Sequence, residues 1–321
     1  MDEVLVSDDP MIDPEVIAEG VPDATVTVAD LDTENAIVEA AAEAAGLVVD
    51  VSTPVPAEVI EQCPELAVIA RAGVGFENID VKAAARHSVT VTNVPEYCTD
   101  EVATHGVALM LDCTRKIAEY ADGTADGRWA WEDGRPIYRL PGSTLGLISF
   151  GPIARRFEER LRGFDLDVIA YDPYVDADEM AEAGVEKVDL ETLYERADHV
   201  SLHAPLTDQT EDLIDAEALA AMRDHAVLIN TARGGLIDED ALAEALRNDE
   251  ISAAGLDVRS QEPPAADDPL RDLDNCIVTP HAGWYSVEAR EELNEAVARN
   301  VAAALGGETP PDQIDPELDW L

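Results

Sequence analysis

Lysine is almost missing from this chain. Only Lys82, Lys116 and Lys187 occur in 321 residues, and Lys plus Arg total 21 against 69 Asp plus Glu. A surface so poor in cations meets a phosphate backbone with repulsion, so direct nucleic-acid binding is disfavoured. Cysteine is scarce too. Cys63, Cys98, Cys113 and Cys276 form no C-x-x-C pair and no zinc-like spacing with histidine, so no metal site is read from them. Scattered thiols in a chain of this size suit reduced, buried side chains of a cytosolic protein. The opening MDEVLVSDDP lacks the basic and apolar regions of a signal peptide. No uncharged apolar run nears the roughly 18 residues that a membrane span needs. The expected location is the cytoplasm, with no membrane partner.

What is present is a large hydrophobic fraction, 46%, which excludes a disordered chain. The length favours two domains over one core. The formal net charge is -48, and such self-repulsion opposes compaction in dilute buffer. Salt relieves it, because the screening length shortens to roughly 3 Å near 1 M. The acids are spread along the whole chain, whereas a tail for a basic partner would cluster them. The acidity therefore reads as adaptation to a salty cytoplasm, as in halophiles.

The first hundred residues alternate β-rich runs (EVLVS, ATVTV, GLVVDV, LAVIAR, VTVTNV) with helical ones such as DTENAIVEAAAEAA and AEVIEQC. That alternation predicts a parallel sheet covered on both faces. Residues 99–117 read as a helix, and the Gly-, charge- and aromatic-rich 121–142 as a loop or interface segment. From residue 145 a second series follows: TLGLIS, DVIAYD, HVSLHA, AVLINT, AAGLDV and NCIVTP. Helices between them open at Asp215 and Asp238, which suit N-caps. Residues 286–304 form a last amphipathic helix opening at Ser286. The predicted fold is α/β with two doubly wound parallel-sheet domains: a Rossmann-type nucleotide-binding domain over 101–284, inserted in a flavodoxin-like substrate domain of 1–100 plus 285–321.

The stretch GLISFGPIA (146–154) sits where a dinucleotide-binding turn belongs, yet G-x-G-x-x-G is broken. It has Ser149, Gly151 and Ala154. The middle glycine lets backbone approach pyrophosphate, and the third position tolerates Ala. Ser149 is acceptable only with dihedrals in ordinary regions. Pro152 falls at the first helical position, where its missing N–H is no loss. The next strand ends in Asp172, 21 residues after Gly151. A carboxylate there accepts from both ribose hydroxyls of NAD and repels the 2′-phosphate of NADP.

Ligands of open α/β sheets bind beyond the carboxyl ends of strands. Those ends carry SLHAPL (His203), LINTARGG (Arg233), GLDVRSQEP (Asp257, Glu262) and IVTPHAGW (His281). An Arg fork can hold the carboxylate and carbonyl oxygen of a 2-oxo acid together. Hydride arriving at the carbonyl carbon leaves an alkoxide, which a His can protonate and a nearby Glu can orient. Blander readings stand beside these. Arg233 could simply pair with an acid, and Glu262 is one acid among 69. His87, His105, His199 and His225 read as structural or solvated, His203 as a rival base that more simply lines the cofactor pocket. Trp129 and Trp131 read as packing or interface residues.

INTARGGLIDEDAL, GLDV…EP and TPH, with RAGVGFENIDV and TNVP upstream, resemble the D-isomer-specific 2-hydroxyacid dehydrogenases over about residues 66–300. The resemblance implies an enzyme moving hydride between NAD(H) and a small D-2-hydroxy or 2-oxo acid, with Arg233 binding substrate, Glu262 as partner and His281 as acid/base. It implies that Val74 and Gly75 offer amides to the substrate carboxylate beside Arg71. Cofactor contacts would come from Ser149, Gly151, Pro152, Ile153, Asp172, Ala204, Pro205, Thr210, Thr231, Ala232, Asp257 and Gly283. A homodimer built around 99–134 is implied as well. Within the family, YDPY, TARGG and TPHAGWYS look like the C-terminal-binding-protein branch (CtBP), with Trp284 against the substrate side chain. Two rivals follow: an NAD(H)-sensing binding protein with little turnover, and a phosphoglycerate dehydrogenase. The bulky Trp284–Tyr285 pair argues against the latter, and Arg71 keeps it open. Gly106 departs from the family, where Thr is common. A methyltransferase would also use a Gly-rich turn, but it gives the Arg/Glu/His set no role.

Overall fold

The computed structural model describes residues 2–318. The chain divides into two compact units, one from residues 2–98 and 285–318, the other from 99–284. In the first, strands β1 (Asp2–Ser7), β2 (Ala24–Ala29), β3 (Gly46–Val49), β4 (Val68–Arg71) and β5 (Thr90–Thr92) form one sheet in the order β2-β1-β3-β4-β5. Every pairing is parallel. β3 and β4 are buried along their whole length, so they read as continuous apolar runs rather than alternating ones.

The last helix, Val287–Leu305, belongs to this unit. Ser286 caps it by accepting from the Ala289 amide at 2.9 Å. Asn294, 1% exposed, accepts from the Asp13 amide at 2.7 Å and donates to the Met11 carbonyl at 3.1 Å. A Cβ on Gly20 would lie 2.5 Å from that of Ala298, so the helix Pro14–Gly20 packs backbone-close against it. The buried asparagine sets the register of that contact, since an unpaired amide there would be costly.

The second unit holds β6 (Thr144–Ile148), β7 (Asp167–Tyr171), β8 (Glu186–Lys187), β9 (His199–Leu202), β10 (Val227–Asn230), β11 (Ala253–Leu256) and β12 (Cys276–Val278), again all parallel. Their order is β12-β11-β10-β9-β6-β7-β8. The chain winds outward from β6 through β7 to β8, then crosses to β9 and winds the other way. That puts the switch point between β6 and β9, where ligands of doubly wound sheets bind. Asp215 and Asp238 cap their helices as expected, accepting from the Ala218 and Ala241 amides at 2.9 and 3.0 Å.

Two local expectations need correcting. The segment 121–142 is not one loop: a helix, Ile117–Ala125, runs into it and a 3-10 turn occupies Trp131–Gly134. Lys116, at φ 53°, ends the preceding helix Thr99–Arg115 and restarts the chain at a new angle. The run 32–45 is helical only over Glu34–Ala40. The two-residue strand β8 had no visible signal. At Gly106 a Cβ would lie 3.0 Å from a Phe157 ring carbon, so the missing side chain there lets the helix Thr99–Arg115 close on the helix Pro152–Leu161. All four cysteines are free thiols. No described helix is long and apolar enough to cross a membrane, and no described cluster could hold a metal ion.

Candidate active site

The turn after β6 differs from expectation at its first position. Ser149 sits at φ 73°, in the left-handed region rather than an ordinary one. Its amide donates to the Tyr171 carbonyl at 2.8 Å and its hydroxyl to Asp172 Oδ2 at 3.1 Å. The serine thus keeps the backbone shape of the glycine it replaces, and its side chain ties the turn to β7. Phe150 N adds 2.8 Å to Asp172 Oδ2, and Tyr174 N 2.8 Å to Oδ1. A carboxylate offers roughly four acceptor sites, so Asp172 has room for about one further donor rather than two. Gly151 caps the helix Pro152–Leu161, with Pro152 in its first turn, and a Cβ there would meet nothing within 4 Å. That open space before a helix N-terminus is where backbone amides can receive a diphosphate.

Across the switch point, the His203 amide donates to the Ile148 carbonyl at 2.9 Å. His203 Nε2 lies 2.9 Å from Ser201 Oγ, and its ring packs 5.3 Å from that of Phe157. Burial pushes its pKa down to about 3, so it carries no proton to donate near neutrality. That weighs against His203 as the acid/base. Ala204 is buried, and Thr210 Oγ1 donates to the Pro205 carbonyl at 2.6 Å, closing that loop. Beyond β10, Thr231 Oγ1 is buried with no hydrogen-bond partner among the described residues. An orphaned hydroxyl at this strand end, with the open cradle at Gly151 and the carboxylate at Asp172, fits a bound dinucleotide.

Arg233, Glu262 and His281 follow three adjacent strands, β10, β11 and β12. Asn230, fully buried, brackets the first turn. It accepts from the Ala232 amide at 2.9 Å and donates to the Arg233 carbonyl at 2.7 Å. Arg233 itself is half-buried, its guanidinium donating to the Ala232 carbonyl at 2.7 Å. A Cβ on Gly234 would lie 1.9 Å from the Arg259 carbonyl carbon, so only glycine lets this turn lie against the loop that carries Glu262.

His281 Nδ1 and Glu262 Oε2 are 2.7 Å apart. Burial works to raise the Glu262 pKa, but the His281 hydrogen bond and charge and the Arg259 amide outweigh it, so the carboxyl sits below its ordinary value. An ionised carboxylate only accepts, so Nδ1 carries the hydrogen, and Nε2 is left without a partner among the described residues. His281 is held at φ 52°, its amide donating to the Asp257 and Thr279 carbonyls at 2.8 and 3.0 Å. Asp257, 3% exposed, supports the whole loop: it accepts from Thr279 Oγ1 at 2.6 Å, Ala282 N at 2.9 Å and Gly283 N at 2.7 Å. His105 Nε2 completes that network, 2.9 Å from Thr279 Oγ1. Sequence reasoning gave Thr279 and Asn230 no role, and it read His105 only as structural or solvated. Asn230 left a trace as a polar residue in an apolar strand, and His105 left none, because its partners are over 150 positions away. Trp284 is half-buried at the end of this unit.

In the first unit, Arg71 is buried at the end of β4 and its guanidinium donates to the Ala72 carbonyl. Asn93 Nδ2 holds the Val74 carbonyl at 2.7 Å, and neither the Val74 nor the Gly75 amide makes a hydrogen bond among the described residues. Two adjacent free amides suit a carboxylate.

A doubly wound sheet with an open helix N-terminus at its switch point, and an imidazole–carboxylate pair following β11 and β12 on the same sheet, fits a nicotinamide-dependent dehydrogenase. A family model described as "D-isomer specific 2-hydroxyacid dehydrogenase, NAD binding domain" matches residues 107–283. Glyoxylate reductase of Korarchaeum cryptofilum (strain OPF8) is 38% identical over 289 residues, 89% of this chain and 87% of that protein. D-3-phosphoglycerate dehydrogenase of Mycobacterium leprae (strain TN) is 41% identical over 283 residues, 87% of this chain but 52% of the relative, so the chain spans about half its length. D-Lactate dehydrogenase from Aquifex aeolicus, solved with NAD and lactic acid, superposes with a TM-score of 0.88 at 28% identity over 95% of this chain and 96% of that one. The chain belongs to the D-isomer-specific 2-hydroxyacid dehydrogenase family. It is an NAD-dependent oxidoreductase whose reaction is hydride transfer between NAD(H) and a small D-2-hydroxy or 2-oxo acid.

Proposed function

We propose that this chain reduces small 2-oxo acids to D-2-hydroxy acids and runs the reverse oxidation, as a homodimer in the cytoplasm of a salt-rich cell. The observation that carries the reading is the 2.7 Å Glu262–His281 pair, which leaves Nε2 as the ring nitrogen open to a substrate. NAD(H), when bound, supplies or takes the hydride. Arg233 holds the carboxylate and carbonyl oxygen of the substrate, and His281 Nε2 delivers a proton to that oxygen. Glu262 keeps Nδ1 protonated and the ring in place. In the first unit, Arg71 and the Val74 and Gly75 amides suit a carboxylate, and in the second unit Trp284 contacts the substrate side chain. The dinucleotide is held by Ser149 through Ile153, Asp172, the 204–210 loop, Thr231 and Ala232. Asp257 and Gly283 shape the nicotinamide side through the 279–283 loop.

The dimer reading rests on Trp129 and Trp131, 93% and 68% exposed, since such apolar surface marks an interface. The Trp284–Tyr285 pair favours the CtBP-like branch over phosphoglycerate dehydrogenase. A screen of NADH oxidation in molar KCl against glyoxylate, pyruvate, hydroxypyruvate and phosphohydroxypyruvate tests the substrate class, with the unphosphorylated acids expected to win. His281→Ala is expected to lower kcat by about a hundredfold or more. A protein whose NAD-linked dimerisation persists while wild type and variant both turn over nothing is the NAD(H)-sensing binding protein instead.

A further inference from the structure

Arg259 has no assigned role, yet its guanidinium makes four hydrogen bonds to two carboxylates near the candidate site. It is 4% exposed at its side chain and lies between two carboxylates. Its Nε and Nη2 donate to Glu239 at 3.0 and 2.9 Å, and its Nη1 and Nη2 donate to Asp268 at 2.7 and 2.9 Å. One guanidinium therefore makes two forked pairs, the geometry that Arg alone among the cations can supply.

The two acids belong to different segments. Glu239 opens the helix Glu239–Arg247, just after the turn that carries Arg233. Asp268 lies in the loop between β11 and β12, where its Oδ1 also accepts from the Leu270 amide at 3.0 Å. Glu239 Oε1 accepts in addition from the Ser260 amide at 2.8 Å. The backbone of residues 259–260 is thus pinned from both sides. That pinned backbone touches the reactive set twice. The Arg259 amide donates to Glu262 Oε1 at 2.8 Å, leaving Oε2 for His281 Nδ1 at 2.7 Å. The Arg259–Ser260 peptide also forms the wall against which Gly234, next to Arg233, is packed.

We propose that Arg259 is a positioning residue for catalysis: its double fork fixes the loop backbone that aims Glu262 at His281. The proposal rests on the reading of Glu262 and His281 given above. A buried Arg with two acids is not needed for stability alone, because apolar residues of similar volume often serve as well. What apolar packing cannot do is fix the direction of the 259 amide through both the Arg233-side helix and the far loop. The Arg259 hydrogen bonds hold the Asp268 carboxyl below its ordinary value against the opposing effect of burial.

The test uses the full chain in molar KCl, with NADH and the best 2-oxo acid of the screen. Arg259→Met keeps the stem and removes the fork; Arg259→Lys keeps charge without the fork. Misplacing a catalytic group by about 1 Å can cost on the order of a hundredfold. Arg259→Met is expected to lower kcat by about tenfold to a hundredfold, with KM for NADH within about twofold and an altered pH profile of kcat/KM. Arg259→Lys is expected to recover only part of it. The decisive measurement is a cycle with Glu262→Gln. If Arg259 acts through Glu262, Arg259→Met costs little in the Glu262→Gln background, whereas multiplying losses would overturn the proposal. So would an unchanged kcat and pH profile accompanied only by a lower melting temperature. Should Arg259→Met not fold, Glu239→Gln removes one fork, and the same cycle with Glu262→Gln decides. His281→Ala run in parallel separates the two ideas: if it keeps full turnover, the reading of the site fails, independently of Arg259.

Discussion

Ser149 shows how one residue can break a motif and keep its geometry. At φ 73° a non-glycine residue bears a strain of about 1 kcal/mol or more. The hydroxyl that comes with it bonds Asp172 at 3.1 Å, a contribution of about 1 kcal/mol. The two nearly cancel. Ser149→Gly should therefore unfold within about 1 kcal/mol of wild type, whereas Ser149→Val, which loses the bond and adds the steric cost of a β-branched side chain at positive φ, should be destabilised by about 2 kcal/mol or more. Denaturant unfolding in molar KCl checks both, and a valine variant as stable as wild type would refute the account. The residue types were readable: Asp172 after the second strand, Arg233 in TARGG and His281 in TPH all stand out in the chain. The conformation of Ser149 was not, because it depends on the Tyr171 carbonyl and the Asp172 carboxylate meeting it from the next strand.

The 279–283 loop behaves as one unit because Asp257 gathers it. Burial works to raise that carboxyl, but hydrogen bonds from His105, Thr279 and the Gly283 and Ala282 amides win, and its pKa is lowered. A carboxyl whose folded pKa lies below the unfolded value of about 3.9 contributes stability above that value and loses it as pH falls through the folded one. Asp257→Asn should thus melt lower than wild type at neutral pH, by the equivalent of about 1–3 kcal/mol. The gap should close as pH is taken below about 4, and thermal melts across that range would expose the idea as wrong if the gap stayed constant. Strands were legible from apolar runs and caps from Asp215, Asp238 and Ser286. The helix Ile117–Ala125 was not, since its start depends on Lys116 turning left-handed.

For the molecule as a whole, charge is the largest unbalanced quantity. A net charge of -48 spread over the described surface repels itself, while many of the cations already sit in ion pairs such as Arg155–Glu179, Arg196–Glu186 and Arg223–Asp198. The exposed pairs among them, Arg155–Glu179 and Arg196–Glu186, are worth little each, so relief has to come from counterions. The melting temperature is expected to rise by about 5–10 °C from dilute buffer to molar KCl, the equivalent of a few kcal/mol. A flat response in differential scanning fluorimetry would remove the halophile reading. The order of residue types along the chain was enough to specify two βα series, the broken turn and the three strand-end groups, because hydrophobic period and turn chemistry are local. Which partners His105 and Arg259 met was settled by folding: Asp257 for the first and Glu239 for the second. Each pair joins residues far apart in the chain, and a contact of that kind exists only once parallel strands have brought their carboxyl ends to one edge.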